Sequence, residues 1–259
     1  GGIIGKVSKN TTLDSCYNSF AGKISSKGTY LGGLCEINEG KIINCTVSNF
    51  GSGVDDYLGG ICGLNKPGGI IETCSIADKI VTGRNVVGAI TAENFGTIKN
   101  ISLSNASLKV AGIATGDKDG VAGLFAAYNG KTGVIELNND LVNVNVKSSG
   151  KYVGAVAGIN EGTIENKKTA ATDNTIANNI VISGKVEGLY DVGGLVGKNN
   201  DLDMTHKVLH YTNNATIISE TGNAGGIIGD NNSNNTIEYC VNNAVVTSTV
   251  GNAGGITSK

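Results

Sequence analysis

The chain of 259 residues has no tryptophan, one proline, one methionine, two histidines and a single arginine, Arg84. Aromatic residues amount to only 5%. With so few large rings the core must come from Ile, Val, Leu and Ala, which suits flat stacked layers better than a central globular core. The lack of proline leaves turns to asparagine and to the 40 glycines, which tolerate positive φ. No apolar run approaches the ~20 residues of a membrane-spanning helix, so direct membrane insertion is not expected. A formal net charge of −2 provides no footprint for nucleic acid or an anionic membrane.

What is present is repetition. Gly59-Gly60-Ile61-Cys62-Gly63-Leu64-Asn65 has copies at Gly32–Asn38, Gly88–Asn94, Gly154–Asn160, Gly193–Asn199 and Gly225–Asn231. A looser copy begins at Ala122-Gly123-Leu124, with Asn129 one residue late; partial copies open and close the chain. The anchors begin at 1, 32, 59, 88, 122, 154, 193, 225 and 254, which predicts eight repeats of a unit near 29 residues. The first and last residues fall inside units, so the chain is expected to be a single repeat domain, 1–259, cut from a longer monomeric protein. Its address signals and further domains would then lie outside it.

Each unit holds three short stretches. The glycine-pair segment comes first. A Gly-Thr-Ile-x-Asn segment follows, as in Gly96–Asn100 and Gly162–Asn166. The third is β-branched, as in Val181-Ile182-Ser183 and Ala244-Val245-Val246-Thr247. Short β-branched runs bounded by Gly, Asn and Ser are strands, and no stretch has sustained helical periodicity. Three strands per unit predict one coil of a parallel β-helix, all-β, with about eight coils. One expected inward column is Ile3, Leu34, Ile61, Ile90, Leu124, Val156, Leu195, Ile227 and Ile256. Another runs through Leu31, Leu58, Val87, Val121, Val153 and Val192. Residues three apart cannot share a face of a regular strand, so the glycines between Leu31 and Leu34 must bend the chain. The asparagines that end the first segment are placed to hydrogen-bond one another up the stack.

Cys16, Cys45, Cys74 and Cys240 share one repeat position, and Cys35 and Cys62 another. Cysteine alternates there with Ile101 and similar residues, as a small buried apolar side chain would, which predicts free stacked thiols. Units longer than the base length place insertions at Gly112–Gly120, Lys167–Asn179 and Asn200–Thr205, where outward loops could contact a ligand.

The pattern Gly-Gly-Leu-Val-Gly-x-Asn followed by Gly-x-Ile-x-Asn-Cys resembles the GLUG repeat of bacterial surface adhesin-like proteins. That repeat also occurs in non-catalytic parts of immunoglobulin A-cleaving metallopeptidases. The resemblance covers essentially the whole chain and implies a right-handed β-helix, bacterial origin and an extracellular, cell-surface or secreted setting.

Candidate chemistry is sparse. His206 and His210 have zinc-peptidase spacing, but Lys207 stands where the Glu base belongs. Aligning His210-Tyr211 with Tyr239-Cys240 makes the segment a strand, in which the two histidines lie ~13 Å apart. Asp117-Lys118-Asp119-Gly120, Asp201-Leu202-Asp203 and Asp55-Asp56 offer too few oxygens for calcium and read as solvated turns. No metal, cofactor or catalytic residue is therefore expected. Tyr30, Tyr57 and Tyr152 share the position two before the glycine pair. Tyr30 and Tyr57, on adjacent coils, would stack along one corner, and the aromatic row is either a sugar platform or, more plainly, cross-strand packing. Two functions follow from these features: a non-catalytic stalk, spacer or ligand-contact segment with a host or cell-surface glycan or protein as partner, or a carbohydrate-active β-helix enzyme. An accessory domain flanking a protease is a third.

Overall fold

The computed structural model describes residues 1–19, 29–48, 56–77, 80–111, 120–168, 175–200 and 207–258. The chain is an all-β parallel β-helix of about seven turns. Every strand pairing is parallel, and equivalent residues of successive turns lie opposite one another, as Cys35 does Cys62 and Asn38 does Asn65.

Each turn has four faces where three strands were expected. The glycine-pair segment supplies two of them. Tyr57–Gly59 belongs to an eight-stranded sheet running from Tyr30–Gly32 to Ala253–Gly254, and Cys62–Asn65 to another running from Ile4–Val7 to Ile228–Asn231. The chain bends between them at Gly60 and Ile61. That bend lets Leu58 and Ile61, three apart, both enter the core fully buried. The next face is a six-stranded sheet from Thr12–Asp14 to Thr163–Asn166, continued by Val208–Leu209 with Ile237–Glu238. The last face begins as short strands such as Ser75–Ile76 and Ile80–Gly83 and lengthens into Ile180–Gly188 and Tyr211–Ser219.

The first glycine of each pair is required by close approach. A Cβ on Gly59 would lie 1.8 Å from the carbonyl oxygen of Cys62, and on Gly88 1.8 Å from that of Thr91. The same overlap recurs at Gly123 with Ala126 and at Gly193 with Val196. None of these glycines has positive φ, so sterics and not handedness excludes a side chain. The second position holds a side chain in some turns, as Ala89, Leu124 and Ala155, although a Cβ on Gly60 would lie 2.0 Å from the Ala89 carbonyl oxygen.

This corrects the register of the looser copy. Gly88 pairs with Gly123, Thr91 with Ala126 and Asn94 with Asn129, so Asn129 is in step. Leu124 therefore stands in the second-glycine position, and Phe125 fills the core place opposite Ile90. Val121 pairs with Val86 in an outer cluster, while Ala122 takes the inward place beside Val87. The inward columns otherwise hold: Leu34, Ile61, Ile90, Val156, Leu195 and Ile227 are fully buried, and only terminal residues such as Ile3 are open to solvent.

The asparagines form a continuous ladder. The amide of Asn38 donates to Asn65 Oδ1 (2.8 Å), Asn65 to Asn94 (2.8 Å) and Asn94 to Asn129 (2.8 Å). Asn129 then donates to Asn160 (2.8 Å), Asn160 to Asn199 (3.0 Å) and Asn199 to Asn231 (3.1 Å). Inside the tube these amides have no water to turn to, so each depends on its neighbours.

A second column is conformational. Ser15, Asn44, Thr73, Asn100, His210 and Tyr239 all adopt φ between 53° and 65° at the same corner. This left-handed conformation costs a non-glycine residue roughly 1–2 kcal/mol. It persists because the N–H groups of Ser15, Asn44 and Thr73 bond Ile43, Glu72 and Lys99 on the next turn. Asparagine supplies two of these residues, as expected, and serine, threonine, histidine and tyrosine supply the rest. The six cysteines are free, with the Cys35 and Cys62 sulfurs 3.4 Å apart.

Candidate functional site

The outward sides of the two glycine-pair sheets face each other across a re-entrant corner. A Cβ on Gly63 would meet Tyr30 Cβ at 2.8 Å, and one on Gly158 would meet Val121 Cγ1 at 2.4 Å. Small residues after each bend thus let the strands close, forming a seam along the tube. One wall carries Tyr30, Tyr57, Val86, Val121, Tyr152 and Asp191. The other carries the residue before each ladder asparagine, namely Ile37, Leu64, Glu93, Tyr128, Ile159, Lys198 and Asp230.

The sequence-predicted tyrosines all lie here, with Tyr30 and Tyr57 adjacent as expected. Their ring centroids are 5.0 Å apart and their planes tilted by 52°. Tyr152 is separated from them by Val86 and Val121, and its ring lies under Lys198 Nζ at 5.0 Å. Tyr30 donates its hydroxyl to Glu93 Oε2 (2.5 Å), and Tyr128 to Glu161 Oε2 (2.6 Å). Burial, and then the carboxylate that each hydroxyl meets, pushes both phenols above their ordinary range. Phe95 packs edge-on against Tyr128 at 5.7 Å.

The chemistry of the seam changes along its length. Val86, Ala92, Val121, Ala127, Tyr128 and Ile159 make an apolar cluster separate from the main core. Toward the C-terminus the same positions turn ionic. Lys198 Nζ lies 3.9 Å from Asp230 Oδ2, and Asn223 donates to Asp191 Oδ1 at 2.8 Å. Asp191 sits above the usual carboxylate range, chiefly from burial, with the charge of Asp230 adding to it. These seam residues were missed in the sequence, although one signal was available: the residue before each ladder asparagine points outward.

The other candidates are dispersed. His210 is stacked on Tyr239 at 4.8 Å, as the strand alignment requires, and Val208 pairs with Ile237. His206 lies outside the described residues, as do Asp55, Asp117, Asp119, Asp201 and Asp203. Asp56 is bound by Arg84 and by Asn85. Among the described residues, no group of three or more His, Cys, Asp or Glu is placed to hold a metal ion. No described helix is long and apolar enough to cross a membrane.

Comparison of the chain with protein families, curated proteins and solved structures finds no match.

Proposed function

We propose that this chain is a non-catalytic β-helical segment of a bacterial cell-surface or secreted protein of the GLUG-repeat type. In this reading it is a stiff spacer that holds a ligand-contact seam away from its attachment. The supporting observation is the unbroken asparagine ladder, which keeps register through turns of unequal length. A stack of eight strands at ~4.8 Å spans roughly 35–40 Å. The tyrosines and carboxylates of the seam supply the apolar faces and acceptors that a glycan or an extended protein segment would use.

Antibodies raised against the chain should label intact cells of the source organism; labelling only after permeabilisation would overturn the surface assignment. On a glycan array, bound signal should fall with Tyr57→Ala, and an unchanged signal would remove the seam from the reading. The alternative, a carbohydrate-active enzyme, would draw its acid and base from Glu93, Asp191 and Asp230. Turnover of a pectin, glycosaminoglycan or alginate would establish that alternative and end the spacer reading.

A further inference from the structure

We infer that Lys198 and Asp230 are joined by a side-chain amide, formed by the chain itself, that staples the last two complete turns together. The two residues are direct partners on neighbouring parallel strands, with Lys198 Nζ 3.9 Å from Asp230 Oδ2. That spacing is longer than a hydrogen bond. The other carboxylate oxygen, Asp230 Oδ1, is buried and has no hydrogen-bond partner. One long contact to Oδ2 leaves the other oxygen of the carboxylate without a partner to offset its burial.

Burial distinguishes this pair from the other charge ladders. The Lys198 and Asp230 side chains are 20% and 8% exposed, whereas Lys6, Lys147 and Lys185 in comparable pairs are 47%, 52% and 45% exposed. At the wetter sites water stabilises the ions and competes with any condensation. At the Lys198 site the Tyr152 ring covers the ammonium, and fixed partners on adjacent strands give the high effective concentration that makes an intramolecular condensation favourable.

The step balances without any added reagent. A proton passes from the Lys198 ammonium to the Asp230 carboxylate, giving a neutral amine and a neutral acid. The nitrogen attacks Asp230 Cγ, forming the C–N bond. The intermediate loses one of its oxygens as water, taking two of the three hydrogens that began on nitrogen. Asp191, on the facing strand of the seam, is the group suited to carry the proton from the nitrogen to the departing oxygen. Its burial keeps it protonated to higher pH than a solvated aspartate. The product removes a buried carboxylate and the half-buried ammonium opposite it, and ties residues 198 and 230 across one turn boundary. That boundary is where a solenoid, stabilised only by nearest neighbours, would otherwise fray.

The test is the intact mass of the folded chain. It should be lighter than the sequence by one water, and digestion should yield a branched peptide containing Lys198 and Asp230. Lys198→Arg keeps the charge but cannot condense in this way, so it should restore the full mass, as should Asp230→Ala. Circular dichroism of each variant shows whether the fold is retained. Asp191→Asn should slow bond formation in freshly synthesised chain, followed as the growth of the species lighter by one water, by about 100-fold or more. A folded chain at its full sequence mass, or a lost water mapped to other residues, overturns the bond. An unslowed Asp191→Asn overturns the proton-transfer role.

Discussion

Asn94 Nδ2 donates to Asn129 Oδ1 at 2.8 Å although 35 residues separate the two in the chain. Asn38 and Asn65, only 27 residues apart, make the same bond at the same length. Unequal unit length therefore does not disturb the inner register, because the ladder and the buried columns are cross-turn contacts indifferent to the length of chain between them.

Replacing Asn129 with Ala should cost about 2–4 kcal/mol, since it takes the ladder acceptor from the Asn94 amide and the ladder donor from the Asn160 carbonyl in a buried site. Asn38→Ala, at the end of the ladder, breaks one ladder bond in place of two and also loses the longer contact from the Gly40 N–H, so it should cost less. Urea unfolding of the two variants checks this. Equal losses would mean that the ladder bonds act independently of position.

Gly59→Ala drives a methyl into the Cys62 carbonyl and should cost about 3 kcal/mol or more. Gly5→Ala meets nothing within 4 Å and should stay within about 0.5 kcal/mol of the parent. Thermal unfolding of the pair isolates close approach from glycine's backbone entropy. A mild Gly59→Ala would refute the steric account of the repeated glycine.

The thiols should separate by depth. Cys35 and Cys62 are fully buried, and burial first, with the Cys35 sulfur beside it, raises Cys62 well above the ordinary thiol range. Cys240 is pushed up to about 11, chiefly by burial, yet it and Cys16 retain partial exposure. Maleimide labelling of native protein should therefore modify Cys16 and Cys240 first and the buried four only on unfolding. Stoichiometric disulfides found by non-reducing peptide mapping would contradict free stacked thiols.

Glu39 lies between Lys6 (2.8 Å) and Lys66 (2.9 Å) on the neighbouring turns, and their hydrogen bonds hold its carboxyl down at about 2. A carboxylate with a lowered folded value stabilises the fold above its unfolded value and loses that contribution as pH falls toward the folded one. The stability difference between the parent and Glu39→Gln should be constant above about pH 5 and shrink to nothing near pH 2. A difference that grew on acidification would reverse the assignment.

Periodicity was enough to establish the parallel β-helix, the buried columns, the bend at the glycine pair and the asparagine ladder. In-register stacking makes every turn copy the last, so each of these constraints is written into the sequence several times over. Besides the fourth face of each turn, two things were not legible in the repeats. The slip at Leu124 escaped because alternation alone cannot say which of two adjacent apolar residues faces inward; the pairing of Gly88 with Gly123 decides it. The seam escaped for a deeper reason. Tyr30 and Glu93 are 63 residues apart in the chain, and Asp191 approaches Asp230 only because two different sheets close over a corner of small residues. A repeat specifies what lies above and below a residue, whereas the angle between faces determines what lies across from it, and that angle exists only once the turns have packed.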